Sequence, residues 1–461
     1  MKKILIKFRY SILSFAKLIM FGVMVGLFAF VYLEQYQEAT LTYRANVFAI
    51  LVYAVILFFF MRMYGGYNIG YLRKNELSYS LAVSCFFADA ALYVIMCMFS
   101  ESFLYPTAMI GLFIMQIIAG IILTGIFNLL YFYLYPARQV ALVCHDKEAA
   151  QSIIDKIKTS KDRYTLRCVL PDTLEYEKII KVIKNFESVI IHDISPDMKV
   201  RILDYCYSTG KRIYIVPTVQ DLIMANSHMT QIFDTSAILC KNRGPSMEER
   251  IIKRLFDILV SLIGLICLSP IMLIVGMIIH FYDGGPAFFK QKRLTEKRKV
   301  FTLYKFRSMR VDSEADGKAR LASANDDRIT PVGKFIRATR LDEIPQLINI
   351  LKGDMSLVGP RPERPEIAEE YEKVYPAFKY RLKMKAGLTG YAQVNGRYNT
   401  SPVDKLILDL RYIQNFSLLT DLKILLKTIK VVFMPDSAEG FSEEKTDVSQ
   451  IEFVNIDSDN Q

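Results

Sequence analysis

The stretch IIKRLFDILVSLIGLICLSPIMLIVGMIIHF, residues 251–281, decides the architecture, because it must either cross a membrane or turn back within it. Crossing a hydrocarbon core takes about 20 apolar residues in a helix, and this run is long enough. Lys253, Arg254 and Asp257 stand at its start, and Lys290, Lys292 and Arg293 follow its end. Basic residues favour the cytoplasmic side, so a simple crossing would strand one of these clusters on the wrong side. Ser269-Pro270 falls in the middle. Proline removes a helical hydrogen bond and clashes with the preceding turn. Each half alone is too short to span. The pattern predicts a helix–break–helix hairpin, re-entrant from the cytoplasmic leaflet, with Ser269 and Pro270 as the structural break.

Upstream, four apolar runs open the chain: Ile12–Leu33, Ala45–Met63, Leu81–Phe99 and Thr107–Tyr135. Each has the length of a membrane span. The first is too long, and too poor in a small-residue cleavage site, for a removable signal peptide. Lys2, Lys3, Lys7 and Arg9 precede the first run, and Arg62, Arg73 and Lys74 fall in the second connection. The other connections carry little net positive charge. A transmembrane four-helix unit, residues 1–137, with both ends cytoplasmic follows. Asp89 lies inside the third run and is assigned no role.

From Arg138 to about residue 245 the pattern changes. Val140–Cys144, Leu166–Leu170, Val189–His192 and Ile213–Val216 read as strands, with helices at Lys147–Lys158, Leu174–Phe186 and Met198–Ser208 between them. This alternation implies a small Rossmann-like α/β domain with a parallel sheet. Dinucleotide binding needs glycines after the first strand so that the backbone can approach a pyrophosphate. Cys144-His145-Asp146-Lys147 stands there instead. A degenerate fold used for assembly or regulation is favoured over a nucleotide-binding one. His145, His192 and His228 are isolated, without metal-ligand spacing, and read as ordinary polar residues.

Composition agrees with a membrane protein that faces anions: 461 residues, 52% hydrophobic, net charge +11. No zinc finger, RNA-recognition signature or clustered basic helix supports nucleic acid as the partner. The seven cysteines include no CxxC pair, which suits a reducing cytoplasm and a membrane rather than a disulfide scaffold.

Downstream, Lys290 to Arg310 is strongly basic, with Glu296 its only acid. Lys297 to Lys299 read as cations that merely face solvent or anionic lipid. Residues 312–327 are polar and read as a mobile loop. Then comes RATRLDEIPQLINILKGDMSLVGPRP, residues 337–362. Proline is tolerated in a first helical turn, so one helix begins near Pro345 and stops at Gly353. Asp342 and Glu343 therefore lie at or before a helix N-terminus, flanked by Arg337 and by Arg361 between two prolines.

These residues resemble the signature of the bacterial sugar transferases, the polyprenyl-phosphate hexose-1-phosphate transferases. The resemblance runs from about Arg250 to Asp421. It includes Lys253, Arg254, Asp257, Ser269 and Pro270, Lys305-Phe306-Arg307-Ser308-Met309, and the glycine-punctuated Lys385–Gly396, where Ala386 replaces the usual proline. The upstream layout resembles the long form of the family, such as undecaprenyl-phosphate galactose and glucose phosphotransferases. Membership implies transfer of a hexose 1-phosphate from a UDP-sugar to undecaprenyl phosphate with release of UMP, an early membrane step of exopolysaccharide, capsule or O-antigen assembly. It also implies a mainly helical cytoplasmic catalytic domain at residues 246–435, a homodimer, and the bacterial cytoplasmic membrane as its place. By the same resemblance, Asp342 is the nucleophile of an aspartyl-phosphosugar intermediate. Glu343, with Asp342, holds Mg²⁺, while Lys305, Arg307, Arg337 and Arg361 hold phosphates.

Such a reaction needs charge neutralised on both phosphates and an in-line nucleophile. Mg²⁺ uses only one or two protein carboxylates, and arginine adds bidentate phosphate recognition. The competing reading is a membrane-anchored scaffold or regulator of a polysaccharide assembly complex; the intact charged stretch at 337–362 speaks against it. A nucleotide-sugar dehydratase would need a glycine-rich loop that is absent. No residue decides which sugar is carried. Residues 404–433 are amphipathic, with a membrane surface and the globular core both open as the partner of that helix. The acidic tail, 436–461, reads as disordered.

Overall fold

The computed structural model describes residues 8–36, 43–100, 104–158, 162–225, 227–240, 244–310, 326, 328–396 and 401–432. The chain divides into two compact units, with the boundary between Pro217 and Thr218.

The first unit opens with four helices: α1 (Arg9–Gln35), α2 (Tyr43–Tyr64), α3 (Lys74–Phe99) and α4 (Thr107–Leu134). They are apolar almost all round, as helices in a non-aqueous setting must be. All four are long and apolar enough to cross a membrane. They share one core, in which Met24, Phe28, Tyr53, Leu57, Leu81 and Leu112 are buried. Phe48, Phe59, Phe99 and Leu129 point outward, exposed. Asp89 has a partner inside this core: the Tyr53 hydroxyl donates to its Oδ1 at 2.9 Å, and Gln116 Nε2 donates to Tyr53 at 2.9 Å.

The same unit continues as a parallel sheet of β1 (Arg138–Cys144), β2 (Tyr164–Pro171), β3 (Ser188–His192) and β4 (Arg212–Ile215), in the order β2-β1-β3-β4. Its helices are α5 (Lys147–Lys158), α6 (Tyr176–Ile183) and α7 (Pro196–Ser208). Residues α5 contributes pack with Val140 and Leu142 on one face. Those of α6 and α7 pack with Ala141, Val143 and Val189 on the other. Both faces are covered, which is why the strands read as continuous apolar runs.

Strand order reverses beside β1, and in such sheets ligands bind where the order reverses, outside the carboxyl ends of the strands. Here residues at that edge bond to one another. The buried Asp172 carboxylate accepts a hydrogen bond from the Ser195 backbone N–H (2.8 Å) at the start of α7 and meets His145 Nδ1 at 2.8 Å. The His145 backbone N–H donates to the Asp193 carbonyl at 3.1 Å.

The second unit takes in residues that the sequence pattern groups with the α/β domain: α8 (Val219–Ala225) and the hairpin β5 (His228–Ile232) and β6 (Thr235–Leu239). Its long helix α9 (Met247–Asp283) contains Pro270. The chain does not leave the helix at Ser269-Pro270. Proline leaves the Ile266 carbonyl without its usual donor, and Ser269 Oγ donates to that carbonyl at 2.8 Å. The serine thus offsets the hydrogen bond that proline removes.

After α9 come the hairpin β7 (Phe288–Leu294) and β8 (Val300–Phe306), α10 (Pro331–Ala338), α11 (Gln346–Lys352), β9 (Ser356–Val358) and α12 (Pro365–Val374). The unit closes with β10 (Gly387–Thr389), α13 (Tyr391–Asn395), α14 (Pro402–Gln414) and α15 (Leu418–Val432). The segment 312–327, apart from Asp326, and the tail 436–461 lie outside the described residues.

Both halves of α9 pack within this unit. Phe256, Val260, Leu265 and Leu268 join the main core with Leu347 and Ile350 of α11. Val275 and Ile279 form a smaller core with Phe306, Ile336 and Leu341. The opposite side of α9 exposes Leu259, Ile266, Leu273 and Phe281. At its start, Lys253 pairs with Asp421, Asp257 accepts from the Leu357 N–H (3.1 Å), and Arg254 donates to the Ile350 and Leu351 carbonyls (2.6 and 2.7 Å). The Arg254 cation thereby caps the C-terminal carbonyls of α11.

Candidate active site

Asp342 and Glu343 share a 3-10 turn, Leu341–Glu343, between α10 and α11. Arg340, immediately before it, has φ of 58°. A non-glycine residue in this region costs on the order of 1 kcal/mol, so the turn is held by its surroundings. Leu341 anchors it on Val275, Ile279 and Ile336. On the other side Pro345 is the N-cap of α11, and Gly353, at φ 89°, ends that helix, so the Pro345-to-Gly353 helix expected from sequence is present.

Lys305 reaches the turn from β8. Its Nζ lies 2.9 Å from Glu343 Oε1 and 4.0 Å from Asp342 Oδ2. Asn349 fixes the spacing: Oδ1 accepts from the Tyr304 N–H at 3.0 Å and Nδ2 donates to the Thr302 carbonyl at 2.7 Å. One buried amide thus ties the helix that follows the carboxylate-bearing turn to the lysine-bearing strand. Arg361 arrives from the loop after β9, with Nη2 3.1 Å from Glu343 Oε1. Arg381 supports that loop, donating to the Arg361 carbonyl at 3.1 Å while paired with buried Asp409 at 2.6 Å.

The glycines of the Gly387–Gly390 motif serve this loop by close approach. A Cβ on Gly387 would lie 2.1 Å from the Gly359 nitrogen, and one on Gly390 would lie 2.2 Å from the Gly359 oxygen. Two backbone segments meet there with no room for a side chain.

The two carboxylates have different surroundings. Burial works against the Glu343 charge, yet Lys305, Arg361 and Arg340 outweigh it and hold this carboxyl well below the usual range. Burial raises the Asp342 carboxyl; Lys305 opposes the rise and the neighbouring Glu343 charge adds to it. Among the described residues no hydrogen bond reaches either Asp342 oxygen, and the residue is 9% exposed. One acid is thus firmly ionised and neutralised, and the other is more basic and available. Environments that push paired acids apart in this way let them take different roles.

Of the other candidates, Arg337 ends α10, and its charge bears on Asp342. Arg307 is buried, with Nη1 2.2 Å from where a Cβ on Gly285 would stand, so its guanidinium lies against that glycine. Lys297 to Lys299 are more engaged than a solvated run: Arg298 pairs with Glu372 at 2.5 Å and Lys299 lies 3.9 Å from Asp354. Arg340, Asn349 and Arg381 went unnoticed in the sequence, because their partners lie far away along it or carry no motif of their own.

No group of three or more metal-ligating side chains occurs among the described residues. Mg²⁺ needs no such cage when phosphate oxygens complete its shell. Two adjacent hard carboxylates, one with oxygens free of hydrogen bonds, fit such an ion.

The sequence model for bacterial sugar transferases matches residues 248–435. An undecaprenyl-phosphate galactose phosphotransferase of Salmonella typhimurium is 39% identical over 50% of this chain and 50% of its own. The galactosyl transferase CpsE of Streptococcus agalactiae is 45% identical over 41% of this chain and 44% of its own. The sugar transferase EpsL of Bacillus subtilis, itself uncharacterised, is 42% identical over 41% of this chain and 91% of its own. The matched region spans about half the length of the first two relatives.

Proposed function

Because this chain belongs to the bacterial sugar transferase family, we propose that it moves a hexose 1-phosphate from a UDP-sugar to undecaprenyl phosphate. The observation that carries this reading is the unequal pair: Glu343 neutralised by Lys305 and Arg361, beside an Asp342 carboxylate with no hydrogen bond to its oxygens. Asp342 attacks the β-phosphorus of the donor. The bond from that phosphorus to the bridging oxygen breaks, and its electron pair leaves with UMP. The phosphate oxygen of the lipid then attacks the same phosphorus, and the Asp342 carboxylate is restored. Lys305 and Arg361 offset charge on the transferring phosphate, with Arg337 assisting at longer range. Asp342 and Glu343 would hold Mg²⁺, which neutralises the donor diphosphate.

We place the reaction at the cytoplasmic membrane face, with α9 re-entrant through a kink at Pro270 inside the continuous helix. Lys253 and Ile279 both contact the second unit. At about 1.5 Å per residue a straight helix would separate them by about 39 Å, more than a hydrocarbon core is thick. One compact unit held at both ends favours a helix that stays on one side. The α/β domain, with no glycine after its first strand and with Asp172 bonded to His145 and Ser195, is read as an assembly or regulatory module. The matched relatives differ in the sugar they are named for, so the hexose is left unspecified.

The test is to give purified chain a UDP-sugar without lipid acceptor. Stoichiometric UMP and a mass gain of one hexose phosphate are expected, and Asp342→Asn should abolish both. Wild-type protein that releases UMP only when lipid is present, with no adduct, would refute Asp342 as nucleophile.

A further inference from the structure

A second basic site lies in the catalytic unit and shares no lining residue with the Asp342 cluster. Between α13, α14 and α15 is a cavity of about 360 Å³, large enough for a small ligand. Tyr391, Asn395, Arg411, Asn415, Lys423 and Lys427 line it. Among the described residues none of its three cations pairs with an acid. The Arg411 guanidinium lies 5.6 Å from the Tyr391 ring centroid, and Lys427 Nζ donates to Asn395 Oδ1 at 3.4 Å. Burial, and then the charge of Lys423, lower the Lys427 ammonium, as expected where like charges converge without a counter-ion. Asp421, the acid at the start of α15, is committed elsewhere: it accepts from Lys253 and from the Tyr412 hydroxyl at 2.7 Å. Three cations around a cavity with polar amides and an aromatic wall suit a phosphate.

The helix also indicates how the phosphate is presented. Leu419, Leu422 and Ile429 are 69%, 43% and 37% exposed, while Ile424 is buried. At 100° per residue, these exposed side chains lie beside the stripe of Lys423 and Lys427. An apolar ridge next to cations is the pattern of a helix at a lipid surface. Lys253 joins the start of α15 to the start of α9, just before the exposed apolar run of α9. We infer that this cavity binds the phosphate of an anionic phospholipid headgroup, with the α15 ridge entering the adjoining acyl boundary.

The chain has no tryptophan, so Tyr391→Trp places one reporter on the cavity wall. Full-length protein in detergent is titrated with short-chain phosphatidylglycerol. A saturable fluorescence change is expected, with none from the matching phosphatidylcholine. Lys423→Gln should weaken binding about fivefold and Lys423→Gln/Lys427→Gln about 25-fold, while Lys423→Arg retains it. Asp342→Asn should leave it unchanged, which separates this site from the reaction. Native mass spectrometry of wild-type chain and the double variant gives a second reading, through the phosphatidylglycerol retained. Equal responses to both lipids, or saturation by inorganic phosphate or UMP at the same concentration, would overturn the assignment.

Discussion

Asp342 and Glu343 are adjacent in the chain, yet their surroundings give them different chemistry. Lys305 and Arg361 both meet Glu343 Oε1, so the strongest ion pairs fall on one acid and leave its neighbour without a hydrogen bond among the described residues. The two acids and Arg361 stand in a short segment rich in charge and proline, Lys305 is marked by resemblance to a family motif, and the fold brings the four together. The supporting residues were not legible. Asn349 resembles any polar residue in a short helix until the fold brings Thr302 and Tyr304 beside it. Asn349→Leu nearly conserves volume but leaves the part-buried Tyr304 N–H and Thr302 carbonyl without this partner, at about 1 kcal/mol each. Thermal unfolding should move to lower temperature, and kcat for UMP release should fall about tenfold or more as Lys305 loses its register. Full stability with normal kcat would show that the amide does not set this spacing.

At the scale of elements, the strands and three of the four apolar runs fell within a few residues of their sequence limits, while the third helix begins at Lys74, before its apolar run. A sheet covered on both faces and a helix apolar all round each leave an uninterrupted signature. The proline was harder to read. Its local effect favours a break, but Ser269 Oγ takes up the Ile266 carbonyl and the helix continues. A neighbouring hydroxyl satisfies the carbonyl that the proline leaves without a donor, and hydropathy does not register it. Whether α9 crosses the bilayer can be read directly. Single cysteines introduced shortly before Lys253 and shortly after Phe281, in a background without other cysteines, should both resist impermeant reagent in intact cells and react after permeabilisation. Labelling of the second alone would mean that α9 crosses.

For the molecule as a whole, the alternation of strands and helices marked out the parallel sheet, but not where its unit ends. Residues 218–245 continue the same rhythm of short apolar runs, while Val219 packs into the core of the second unit. That contact joins residues far apart in sequence, so no local pattern announces it. The first unit carries its own pH response. The Asp172 hydrogen bond, and then its charge, raise His145, with Asp146 and Asp193 adding to the rise. The folded state therefore holds the proton above the ordinary histidine value of about 6.5. This stabilisation is fully present below that value and is lost as pH rises through the raised one. Hydrogen exchange across 138–217 should therefore quicken as pH rises above about 6.5, beyond the intrinsic base-catalysed trend. His145→Gln should flatten that excess; an unchanged profile would remove His145 from the account.

Leu341, next to Asp342, packs in one small core with Val275 and Ile279 of α9, so the proposed nucleophile is mounted on a helix apolar enough to lie in a membrane. With α9 in the bilayer as proposed, the protein itself sets the height of that carboxylate. An acceptor whose phosphate already sits in the headgroup layer need not be lifted out to be used, and finding it becomes a search in two dimensions instead of three.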